Sequence, residues 1–121
     1  MDGKGYPKRK NIMTKNMHQP RMKRSLEEIK EQLRRKLPEI QRAYGVVSIE
    51  VFGSWVRGEQ TLQSDLDILV EFDVSKKISL FDFVTLEQEL SDYLGIHVDL
   101  VEKNSVKPAL RQRILNEAVP L

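Results

Sequence analysis

The sequence predicts an α/β domain, of the α+β kind, in which a small mixed β-sheet carries helices packed on one face. Three observations predict it. Apolar residues recur at helical spacing over residues 26–37 and again over 83–94. Between and after these stretches lie short runs rich in β-branched residues, two of which alternate apolar with polar. The order helix, strand, short turn, strand, helix, strand, helix then leaves the sheet to be covered by helices.

Ser25 opens the first helix, with Glu28 three residues on, the spacing at which both side chains satisfy free backbone N–H groups. Leu26, Ile29, Leu33 and Leu37 share one face, and Pro38 is expected to end or bend the helix near Leu37. Gly45 precedes a buried strand, Val46 to Phe52. Gly53-Ser54-Trp55-Val56-Arg57-Gly58 has room for a helical turn or two, and a polar loop runs from Glu59 to Ser64. In the next strand, Asp65 to Phe72, the residues Asp65, Asp67, Leu69 and Glu71 point one way and Leu66, Ile68, Val70 and Phe72 the other. After a loop at 73–79, a second long helix from Leu80 to Leu94 carries Phe83, Leu86, Leu90 and Leu94 on one side, with Gly95 as its C-cap. A third strand, Ile96 to Val101, sets His97 and Asp99 on one face and Ile96, Val98 and Leu100 on the other. The last helix starts near Lys107-Pro108 and runs to about Ala118.

The chain has 121 residues, the length of a single ordinary domain, and 31% of them are charged. It contains no cysteine, which excludes a disulfide scaffold, a thiol nucleophile and a thiolate metal site and agrees with a cytoplasmic protein. His18 and His97 are the only histidines, so a histidine-rich zinc site is not expected. No apolar run reaches the roughly 20 residues of a membrane helix, and no signal peptide is recognised. Charge is uneven. Residues 1–24 hold eight Lys/Arg against Asp2, a net +7, whereas residues 25–121 hold twelve basic and seventeen acidic side chains, a net −5. The basic stretch contains Gly3, Gly5, Pro7 and Pro20 and no sustained apolar period, so residues 1–24 read as a flexible tail and 25–121 as the folded domain. With one aromatic, Tyr6, and no nucleic-acid module, it reads as a leader rather than a nucleic-acid arm.

Three aspartates on strand faces need a reason. Residues two apart on a strand project to one side with Cα atoms roughly 6.6 Å apart, so the carboxylates of Asp65 and Asp67 can converge on a cation while Leu66 anchors the strand. Asp99, on a strand of similar alternation, can supply a third carboxylate. An oxygen-only set of this kind suits Mg²⁺, and without a metal it repels itself and raises its own pKa values. Asp-Leu-Asp by itself is a weak signal; the segment before it strengthens the reading. Gly53 lets a phosphate approach the backbone, the N–H groups at a helix start attract anions, and Ser54 adds a hydroxyl donor. Arg57, one turn later, can pair with a phosphate or an aspartate, or brace the loop. Glu59 is expected to cap or brace the turn, Trp55 to pack locally, and His97 to be a partly buried spacer.

The ordered pair Gly53-Ser54-Trp55-Val56-Arg57-Gly58-Glu59 and Ser64-Asp65-Leu66-Asp67 resembles the signature of the polymerase β-like nucleotidyltransferases, in particular the minimal (MNT) subgroup. The resemblance covers residues 25–118, and His97-Val98-Asp99-Leu100-Val101 fits the strand that bears the third carboxylate. It implies the polymerase β-like fold, with Asp65, Asp67 and Asp99 as catalytic, metal-holding residues for two Mg²⁺ ions. It also implies that Gly53 and Ser54 hold the phosphates of ATP, with Arg57 beside them. The implied reaction transfers a nucleoside monophosphate to a hydroxyl and releases pyrophosphate. No added domain for primer or base recognition is evident, so a nucleic-acid substrate is not expected. The MNT resemblance implies instead an antitoxin that places AMP from ATP on a tyrosine of a HEPN-domain toxin. Two rival readings stand beside it: a binding module that blocks a HEPN partner sterically, and a nucleotidyltransferase acting on a small molecule.

Overall fold

The computed structural model describes residues 24–121, and the expected tail, apart from Arg24, lies outside the described residues. Four helices and four strands follow one another: α1 (Leu26–Tyr44), β1 (Val46–Phe52), α2 (Ser54–Arg57), β2 (Leu66–Phe72), α3 (Leu80–Leu94), β3 (Val98–Glu102), α4 (Pro108–Glu117) and β4 (Val119–Pro120). A single 3₁₀ turn, Lys103–Ser105, joins β3 to α4. The sheet order is β3-β2-β1-β4, with β2 and β3 parallel and the other two pairs antiparallel.

Both long helices begin as their side chains dictate. In α1 the Ser25 Oγ accepts from Glu28 N at 3.1 Å while Ser25 N donates to the Glu28 carboxylate at 2.7 Å. Ser79 and Asp82 form the same reciprocal cap on α3. Both helices end on a left-handed glycine, Gly45 and Gly95. Pro38 does not end α1, as the sequence suggested, but sits inside a helix that continues to Tyr44. Continuation seats Ile40 in the core with no exposure and lets the Gly45 N–H cap the Gln41 carbonyl at 3.0 Å. That burial outweighs the one helical hydrogen bond that proline removes.

The core lies between the sheet and the pair α1/α3. Ile29, Leu33 and Ile40 meet Leu86, Leu90 and Leu94 over Val51, Leu66, Ile68, Val70 and Val98. The register explains which residues face it: Val51 stands opposite Ile68 and Ile68 beside Leu100, so the alternation of one strand is matched by its neighbours. Edge strand β3 is covered by α3, whose Ser91 Oγ and Glu87 carboxylate accept from the outward N–H groups of Val98 and Leu100 at 2.9 and 2.8 Å. Arg24 belongs to this body, since its guanidinium donates to the Leu94 carbonyl at 2.6 Å.

The helices do not all lie on one face, as expected. Leu69, assigned with the aspartates to the polar side of β2, is 3% exposed because Ile114 of α4 and Val106 pack on it. A single apolar residue among Asp67, Glu71 and the strand ends needs a cover of its own, and α4 provides it. The chain then returns along β1, pairing Val119 with Val51 and Pro120 with Glu50. This two-residue edge strand had no sequence signal, being short and half proline.

Candidate active site

Strand β1 delivers the chain to Gly53, whose φ of 84° and ψ of −155° lie where side-chain-bearing residues are essentially not found. The glycine is also required by its surroundings, because a Cβ there would overlap the Asp67 carboxylate. Gly53 opens α2, and the first internal bonds of that turn run from Val56 N and Arg57 N to the Gly53 carbonyl. The N–H groups of Ser54 and Trp55 precede the first bonded turn. Trp55 points inward and is 7% exposed, a core residue as its local packing suggested.

Parallel pairing of β2 with β3 sets Asp67 directly beside Asp99. Burial, first, and the negative charges of Asp99 and Asp65, next, push the Asp67 pKa from 3.8 up to about 6. Asp65 comes one residue before β2, and its Oδ1 lies 3.0 Å from His97 Nδ1. His97 is not a partly buried spacer: its side chain is 72% exposed, and its carbonyl accepts from Leu66 N at 2.9 Å. The structure thus brings Gly53, Asp67 and Asp99 together and turns Asp65 toward His97. Among the described residues no three acidic or imidazole groups close into a metal-holding set. The donors that meet here are nonetheless carboxylate oxygens without thiol or buried imidazole. Their mutual repulsion, which adds to burial in raising the Asp67 pKa, comes from charge that a hard divalent cation such as Mg²⁺ would neutralise. The residues fit that ion.

Arg57 and Glu59 form the brace foreseen for them, with Arg57 Nε donating to Glu59 Oε1 at 2.9 Å. A residue that sequence reasoning missed completes the arrangement. Glu117, at the end of α4, accepts from Gly53 N at 2.6 Å and from Arg57 Nη1 at 2.7 Å. The Gly53 N–H is therefore already engaged within the protein. Arg57 holds the Glu117 carboxyl below its usual range, while Glu59 and then Glu117 raise the guanidinium pKa. One signal could have found Glu117: a carboxylate in the last turn of a helix opposes the helix dipole and calls for a specific partner. Beside Asp65 and His97 opens a cleft of about 660 Å³, walled by Trp55, Gln60, Leu62 and Ile96.

The family described as nucleotidyltransferase domain matches residues 26–121. Protein adenylyltransferase MntA of Thermococcus cleftensis is 44% identical over 95 residues, covering 78% of this chain and 94% of the relative. A Methanocaldococcus jannaschii protein assigned as a protein adenylyltransferase is 48% identical over 88 residues, 73% of this chain and 92% of its own length. Among solved structures, one assigned as a minimal nucleotidyltransferase superposes with a TM-score of 0.67 at 36% identity, covering 82% of this chain and 98% of that one. A toxin–antitoxin structure with AMP-PNP superposes with a TM-score of 0.59 at 27% identity, covering 71% of this chain and 69% of that one.

Proposed function

The chain belongs to the nucleotidyltransferase-domain family, and on that premise we propose that it is a protein adenylyltransferase that moves AMP from ATP to a tyrosine of a HEPN-domain toxin, acting as its antitoxin. One observation carries the reading: the side-by-side pairing of Asp67 and Asp99 under Gly53, where burial and then the neighbouring carboxylates hold Asp67 at about 6. Such crowding is costly in the free protein and would be relieved by a divalent cation of the kind that accompanies a nucleoside triphosphate. The relatives named as protein adenylyltransferases and the likeness to a toxin–antitoxin structure with AMP-PNP support the choice of ATP and of a protein acceptor.

In the mechanism, Ser54 Oγ and the N–H groups of Ser54 and Trp55 receive the terminal phosphates at the start of α2. Asp65, Asp67 and Asp99 would hold Mg²⁺, and the ion would supply charge neutralisation at the phosphates and a lowered proton affinity at the acceptor hydroxyl. Gly53, lacking a side chain, leaves Asp67 its place against the turn. The acceptor oxygen forms a bond to the α-phosphorus as the bridging bond to the β-phosphate breaks. The hydroxyl proton is released and pyrophosphate departs. The chain's own contribution is positioning and charge placement rather than covalent chemistry. No helix among the described residues is long and apolar enough to cross a membrane.

The experiment is transfer of label from α-labelled ATP, with Mg²⁺, to a purified HEPN-domain protein. Label on a tyrosine of that protein, lost in Asp65→Asn, is the expected result. A tight complex with no label would replace this reading with steric neutralisation. Label on a small molecule alone would make the acceptor wrong.

A further inference from the structure

Resting on the adenylyltransferase reading, we propose that Glu117 is a positioning residue that locks the Gly53 turn and aims Arg57, so that ATP meets a prearranged phosphate seat. Both of its oxygens are used across the fold: Oε2 receives the Gly53 N–H and Oε1 the Arg57 Nη1, at 2.6 and 2.7 Å. Neither partner is near it in sequence. Glu117 is itself held from both sides. Ile114, three residues before, packs on Leu69, and Val119, two residues after, pairs with Val51. Beyond it the Leu121 carbonyl accepts from Arg34 Nε at 2.7 Å. A carboxylate fixed between a packed helix and a sheet edge is a bracket, unlike an exposed acid free to sample rotamers.

Two consequences follow from its contacts. Gly53 sits between the Asp67 carboxylate on one side and the Glu117 carboxylate on the other, so loosening Glu117 loosens the turn that abuts Asp67. Glu117 and Glu59 together hold the Arg57 guanidinium, so its direction is set by the protein before any nucleotide arrives. The C-terminal residues thereby enter the site without touching the nucleotide.

The test compares wild type, Glu117→Ala and Glu117→Gln in AMP transfer at varied ATP, alongside the Gly53 amide resonance and thermal melts. Removing a hydrogen bond to a charged group from a preorganised seat is expected to raise KM for ATP about tenfold to a hundredfold in Glu117→Ala. The change in kcat stays below about threefold, the split a general loss of folded enzyme does not produce. Glu117→Gln, which keeps an acceptor for Gly53 but no charge for Arg57, falls between. The Gly53 amide proton, shifted downfield by a short bond to a carboxylate, moves upfield in Glu117→Ala. An unmoved resonance, or a KM that stays level or falls, overturns the proposal; a falling KM would make Glu117 a competitor for the phosphate seat. If Glu117→Ala does not fold, Glu117→Gln decides: a raised KM supports the bracket and a wild-type KM overturns it. A wild-type protein that neither binds ATP nor transfers label refutes the parent reading instead, which keeps the two failures apart.

Discussion

Replacing Asp67 by Asn should abolish transfer yet make the free protein more stable. The magnitude comes from the displaced titration. Moving the folded-state pKa from 3.8 to about 6 corresponds to about 3 kcal/mol at about 1.4 kcal/mol per tenfold change in proton affinity. The carboxylate is only half-buried, so solvent screening cuts this to about 1–2 kcal/mol. The sign is fixed by linkage. Between 3.8 and about 6 the folded protein binds the proton more tightly than the unfolded chain, so stability from this group falls as pH rises through that window and then levels. Asn removes the ionised group from beside Asp65 and Asp99. Its melting temperature should exceed wild type at about pH 8 by roughly 4–8 °C per kcal/mol, and the advantage should shrink as pH falls and be gone below about pH 3, where Asp67 is protonated in both states. The assay is a pair of thermal melts in chelator at the two pH values, repeated with Mg²⁺ and a non-hydrolysable ATP analogue. Ligand should stabilise wild type and not the variant. A variant that melts level with wild type near pH 8, or keeps its advantage below about pH 3, would refute the claim that burial and crowded charge govern this site.

Gly53→Ala places a Cβ on the Asp67 carboxylate and forces alanine into a glycine-only backbone region, so a loss of about 1–3 kcal/mol and of about a hundredfold in transfer is expected from melts and label incorporation. Leu66→Ala, truncating a side chain with no exposure, should cost about 2–5 kcal/mol in urea titration, the opposite sign to Asp67→Asn at the next residue, which faces the other side of the strand. Pro38→Ala restores a helical donor inside α1 and should raise stability by about 1–2 kcal/mol, the unfolded-state rigidity of proline offsetting part of the gain; a lower melting temperature would mean the ring itself packs.

Much of this fold was legible along the chain. Strand β1 and helix α3 have the bounds expected for them, Ser25 and Glu28 cap as their spacing requires, and the doublet around Gly53 and Asp65 marked the family. Each of these signals is carried by residues within a few positions of one another, where backbone geometry alone sets which side chains meet. Pro38 was misread for the converse reason: its local cost is fixed, but the benefit that overrides it, the burial of Ile40, is supplied by the sheet.

Sequence by itself determined the residue types at the site, the oxygen-only donor set, the alternation that buries Leu66 between two aspartates, and the family signature. Only the tertiary structure decided that Asp99 stands beside Asp67, that Asp65 turns to His97, that α4 covers Leu69, and that Glu117 grips both Gly53 and Arg57. Those outcomes join residues dozens of positions apart, and their geometry depends on strand order, on parallel register and on where a helix lands across a sheet. Local spacing carries no record of such choices, because the free energy that makes them comes from surfaces that exist only once the chain has closed on itself.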